Sequence, residues 1–75
     1  MINYQHYTYT VTWSEEDGEY VALCLEFPSL SYLAESQSAA LNGIVNLIKT
    51  VVEDMEEEGE EVPEPIAEKH FSGKF

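Results

Sequence analysis

Tyr7-Thr8-Tyr9-Thr10-Val11-Thr12-Trp13 is the stretch whose pattern decides the fold. Large side chains at 7, 9, 11 and 13 alternate with threonines at 8, 10 and 12, which is the period-2 signature of a strand with two unlike faces. Ser14-Glu15-Glu16-Asp17-Gly18-Glu19 follows, and then a second apolar run, Tyr20-Val21-Ala22-Leu23-Cys24-Leu25. Asp17-Gly18 supplies the positive φ angles of a two-residue type I′ turn, so a hairpin over about residues 5–25 is expected. That turn sets Glu16 opposite Glu19, Trp13 opposite Ala22, Val11 opposite Cys24 and Thr10 opposite Leu25. Tyr9, Val11, Trp13, Ala22 and Cys24 then share one face, and Val21, Leu23 and Leu25 share the other with the threonines. A bulge in the turn would exchange the faces of one strand. One face can receive a helix; the second calls for cover or a partner.

Downstream, Phe27-Pro28-Ser29 ends the second strand, because proline donates nothing to a ladder. A short third strand is expected at about residues 30–34, Leu30 to Ala34. Ser36 is a good N-cap for a helix over about residues 37–58, although Ala39 supplies no capping-box carboxylate. Leu41, Ile44, Val45, Ile48, Val51, Val52 and Met55 form a single apolar stripe at helical spacing. Leu47 lies off the centre of that stripe, at the border of a core or in an interface. Gly59 fits the C-cap, and Pro63 and Pro65 forbid continuation. Residues 62–75 form a C-terminal segment, of which Ile66 to Phe75 reads as a fourth strand or an exit. The expected architecture is α+β: a small antiparallel sheet of three to four strands with one long helix on a face.

The 75 residues make one small domain, residues 1–75, and not more. Seven of the nine aromatics fall in the first 32 residues, so a core can form there, but a thin one. Chains this short bury only about 60% of their unfolded surface and often gain stability by oligomerising. Fifteen acids face three lysines and no arginine, a net charge of −12. Phosphate neutralisation needs clustered Lys and Arg, and Lys49, Lys69 and Lys74 are scattered, so direct nucleic-acid binding is not expected. Docking on an anionic membrane is disfavoured for the same reason, and no apolar run approaches the length of a membrane span. The expected partner is basic. A lone Cys24 and an N-terminus with neither a basic region nor an apolar run point to a reduced, cytoplasmic setting.

Chemistry is hard to place on these residues. A metal-dependent nuclease of the RNase H type draws a carboxylate from the middle of its first strand, and residues 7–13 contain none. The hairpin acids Glu15, Glu16, Asp17 and Glu19 should lie far from those at the helix end, which suits solvated charge better than a shared metal. His6 and His70 lack a carboxylate or second histidine at ligand spacing. Cys24 has no basic neighbour to lower its pKa and reads as a small buried hydrophobe. The glycines never group into a phosphate loop, and no calcium-loop spacing occurs. No catalytic, cofactor or metal residues are expected. The run Glu53-Asp54-Met55-Glu56-Glu57-Glu58-Gly59-Glu60-Glu61 carries seven acids at the negative end of the helix dipole, where each costs a few tenths of a kcal/mol. It is either a frayed, solvated terminus or a docking surface for a basic protein.

The succession of aromatic strand, Asp17-Gly18 hairpin, Tyr20-Val21-Ala22, Phe27-Pro28 break, Ser36 cap with Ala40-Leu41, Glu56-Glu57-Glu58-Gly59 and Val62-Pro63-Glu64-Pro65 resembles the N-terminal domain of HicB-type antitoxins. The resemblance spans essentially the whole chain. It implies a degenerate, partial RNase H-like fold that binds and masks HicA, a small basic RNA-cleaving toxin, and that commonly assembles into dimers or larger oligomers. Ala34-Glu35-Ser36 stands where the family usually has Gly-Asp-Thr, which keeps the cap but removes an easy positive-φ bend. Full-length antitoxins add a C-terminal DNA-binding domain, and operator binding does not carry over to these residues. The expected function is therefore non-enzymatic neutralisation of a basic HicA-type toxin by a homo-oligomer (dimer or tetramer). Glu15, Glu16, Asp17, Glu19, Glu53, Glu56 and Glu57 are the expected contacts. The alternatives are an orphan oligomeric regulatory module that assembles through its spare sheet face, and a residual hydrolase or metal-binding role.

Overall fold

The computed structural model describes residues 2–69. A 3-10 turn at Tyr4–His6 leads into strand β1 (Tyr9–Ser14), followed by β2 (Glu19–Cys24), β3 (Ser31–Ala34), helix α1 (Gln37–Glu57) and a short helix α2 (Ile66–Lys69). The strands form a three-stranded antiparallel sheet in the order β1-β2-β3. The long helix lies across one face, as the two periodicities require.

The hairpin differs from expectation at its turn. Ser14 pairs with Glu19, so the loop has four residues, Glu15 to Gly18, and the register is offset by two from that of a two-residue turn. The Gly18 amide donates to the Ser14 carbonyl at 2.9 Å with Gly18 at φ 64°, while Ser14 Oγ donates to Asp17 Oδ2 at 2.8 Å. Two side-chain effects favour this register. Trp13 now sits opposite Tyr20, their rings edge-to-face with centroids 5.1 Å apart. The tighter turn would instead have opposed Glu16 to Glu19, and like charges directly across a ladder are destabilising. Since the offset is even, every side chain keeps its face. Tyr9, Val11, Ala22 and Cys24 lie under the helix, while Val21, Leu23 and Leu33 lie on the open side.

Other boundaries also move. Gln5 and His6, expected within the hairpin, lie instead in the 3-10 turn, whose N-cap is the Asn3 side chain accepting from the Gln5 amide, and β1 starts at Tyr9 where the alternation begins at Tyr7. Ile66–Lys69 is helical and not a fourth strand, and the rest of the C-terminal segment, residues 70–75, lies outside the described residues.

The helix begins at the Ser36 cap, whose Oγ accepts from the Ala39 amide at 3.1 Å. It ends one residue before the expected boundary. The Gly59 amide meets the Glu56 carbonyl and the Glu60 amide the Met55 carbonyl, a Schellman closure with Gly59 at φ 75°. Its buried line is Ala40, Ile44, Ile48 and Val52, packed on Tyr7, Ala22 and Cys24. Leu41, expected in the stripe, is instead 41% exposed, because the smaller Ala40 faces the sheet. Leu47 packs at the core margin. Gly43 is where Tyr32 of β3 lies on the helix: a Cβ at that position would fall inside van der Waals contact of the Tyr32 ring.

Candidate functional site

The acids expected to make contacts occupy two separate places. Glu15, Glu16 and Asp17 are exposed at the hairpin tip, with Glu19 half-buried beside them. Glu15 is ordered by Trp13, whose indole Nε1 donates to its Oε1 at 2.7 Å. Glu53, Glu56 and Glu57 are exposed on the last turns of α1. Ala34 pairs with Tyr20, which pairs with Trp13, so α1 starts at the tip end of the sheet. Its 21 residues then carry the second group of acids roughly 30 Å away. The structure does not bring the two groups together. No basic residue occupies the last turn of α1 to offset the dipole.

Between tip and helix, a shallow groove of about 400 Å³ is lined by Val11, Gln37, Ser38 and Leu41. Trp13, 51% exposed, stands beside Val11 on the same face of β1. On the opposite face of the sheet, Leu23 and Leu33 are exposed, and so is Leu25 just past the end of β2.

Glu26 is the residue that sequence reasoning missed. Its two carboxylate oxygens accept from the Thr8 amide (2.9 Å), Thr8 Oγ1 (3.2 Å), the Ile66 amide (2.9 Å) and Cys24 Sγ (3.5 Å). Burial on its own would raise the carboxyl; the Ile66 and Thr8 amides outweigh it and hold Glu26 below the usual carboxylate range. A single acid interrupting the apolar run from Tyr20 to Phe27 was the available signal. Two more contacts fasten the same corner. Tyr7 Oη donates to the Pro63 carbonyl at 2.7 Å, and His6 Nδ1 pairs with Glu68. The His6 partner lies 62 residues away in sequence, which is why ligand spacing did not reveal it.

Burial pushes the Tyr7 hydroxyl up to about 12 and also raises Tyr9, whose Oη donates to the Tyr4 carbonyl at 2.7 Å. Burial likewise pushes the Cys24 thiol up to about 11, so it stays protonated at neutral pH. Among the described residues, no group of three or more His, Cys, Asp or Glu side chains is placed to hold a metal ion. No described helix is long and apolar enough to cross a membrane. Comparison with known protein families, with curated proteins and with solved structures finds no match to this chain.

Proposed function

We propose that this chain is a non-enzymatic, antitoxin-like protein that binds a small basic RNase of the HicA type in the cytoplasm and covers its RNA-binding surface. The observation that carries this reading is the clustering of acids at two separate places, the hairpin tip and the end of α1, with no basic residue in the last turn of that helix. The tip acids project from a loop, and seven more crowd the helix terminus where the dipole already disfavours them. A cationic partner relieves that repulsion at either end, and complementary charge speeds its capture. The resemblance to HicB-type N-terminal domains, and the partial RNase H-like fold it implies, agree with a helix laid on a three-stranded sheet.

The test is to inspect the genes beside this one for a small basic HicA-like protein and to co-express any such protein with this chain. Rescue of growth, with a complex that weakens as salt rises, is the expected result. Absence of rescue and of a complex at low salt refutes the proposal.

A second reading, an orphan oligomeric module, draws on the open sheet face, where Leu23 and Leu33 sit among threonines with Glu19 as the neighbouring acid. Light scattering that finds a stable dimer or tetramer, with no small basic protein encoded nearby, favours it.

A further inference from the structure

We infer that the outer edge of β1 is a docking edge for an extended, lysine- or arginine-bearing strand of a partner protein, which adds to the sheet as a fourth strand. The inference rests on the proposed basic partner and says where and how it is held. The Thr8 carbonyl accepts from the Leu25 amide, so Thr8, and by alternation Thr10 and Thr12, turn their backbone groups toward β2. Tyr9, Val11 and Trp13 therefore turn theirs outward. With β1 at the end of the strand order, these groups meet no backbone partner among the described residues.

Natural edges are usually protected by lysine, proline, a bulge, an inward-pointing charge or short length. β1 has none of these over its six residues, whereas the other edge, β3, is only four residues long. A strand laid against Val11 would send alternate side chains onto the helix-covered face, into the groove of Val11 and Leu41 beside the Trp13 indole. The sign of the partner follows from the surroundings. No lysine or arginine occurs before Lys49, and Glu15, Glu16, Asp17 and Glu35 all lie toward that end of the sheet. A second copy of this chain would bring the same acids against them.

The probe is a short capped peptide alternating lysine and valine, titrated at low salt into the isotopically labelled full chain. The expected result is slowed amide exchange at Tyr9, Val11 and Trp13 with shifts at the Leu41 methyls. The same peptide N-methylated on one hydrogen-bonding amide should bind about fivefold more weakly, with a similar factor for each further amide, since each removes one backbone bond. Leu41→Lys, a change on an exposed helical position, should weaken binding with the circular dichroism unchanged. Equal binding of the N-methylated peptide, or shifts confined to the acids with the three β1 amides unprotected, overturns the edge and leaves charge docking standing. Protection of those amides before any peptide is added, or on raising the protein concentration alone, overturns it in favour of the chain's own tail or a second copy. Failure of toxin co-expression with peptide protection retained removes the toxin and keeps the edge.

Discussion

Replacing Glu26 by glutamine tests whether one carboxylate joins the start of β1 to α2. One oxygen receives the Thr8 amide and the other the Ile66 amide, each at 2.9 Å. Glutamine offers one acceptor, so its NH2 group must turn toward one of these two donors. The loss is one charge-assisted hydrogen bond in a partly wet site, about 2 kcal/mol. In urea, followed by Trp13 fluorescence, this is a midpoint drop of about 1–2 M at the slope of about 1–1.5 kcal/mol per M typical of a small chain. The pH dependence is the sharper readout. Because the folded carboxyl titrates below its ordinary value of 4.5, its contribution is complete above that pH and is lost as pH falls through the folded value. A protonated Glu26 resembles glutamine, so the gap between the two proteins should close on acidification. Acidification also relieves repulsion among the other acids in both proteins, and only the difference isolates Glu26. A gap under about 0.5 kcal/mol at neutral pH, or one that stays constant down to about pH 3, would refute the reasoning.

Gly43→Ala should destabilise by about 1–2 kcal/mol despite the better helix propensity of alanine, because the Tyr32 ring occupies the space. In a Tyr32→Ala background the same change should become stabilising, and thermal melts of the four proteins read the sign. Ser36→Ala removes the cap on the Ala39 amide and should lower stability by about 1 kcal/mol in urea titrations. Glu57→Lys should raise the melting temperature slightly, worth about 0.5 kcal/mol from the helix dipole, while slowing association with a basic partner in stopped-flow mixing. A rise in stability without slower association would detach the helix end from partner capture.

The two strands, the break after β2, the Ser36 cap and the long helix were legible because each rests on local patterning: alternation, proline, a capping hydroxyl and a helical stripe. What escaped depends on pairs distant in sequence. The hairpin loop was misjudged because Asp17-Gly18 is a strong local turn signal, and the Trp13–Tyr20 contact that competes with it acts across strands. Hydrophobicity alone puts Leu41 in the stripe, while the close approach of helix and sheet favours the smaller Ala40. Gly43, a glycine inside a helix, was a signal of close approach, but its partner Tyr32 could be named only from coordinates. The acids and their separation into two groups are legible in the sequence; the distance between the groups follows from where the helix starts on the sheet.

The sealed position of Cys24 gives the molecule an internal clock. Cys24 is 1% exposed at the end of the middle strand, on the face that the helix covers, and its raised pKa further suppresses attack. A thiol reagent can therefore reach it only when the helix lifts from the sheet, and the labelling rate counts those rare openings. Any ligand that clamps the domain shut, wherever it binds, should slow that count by the factor by which it suppresses the open population.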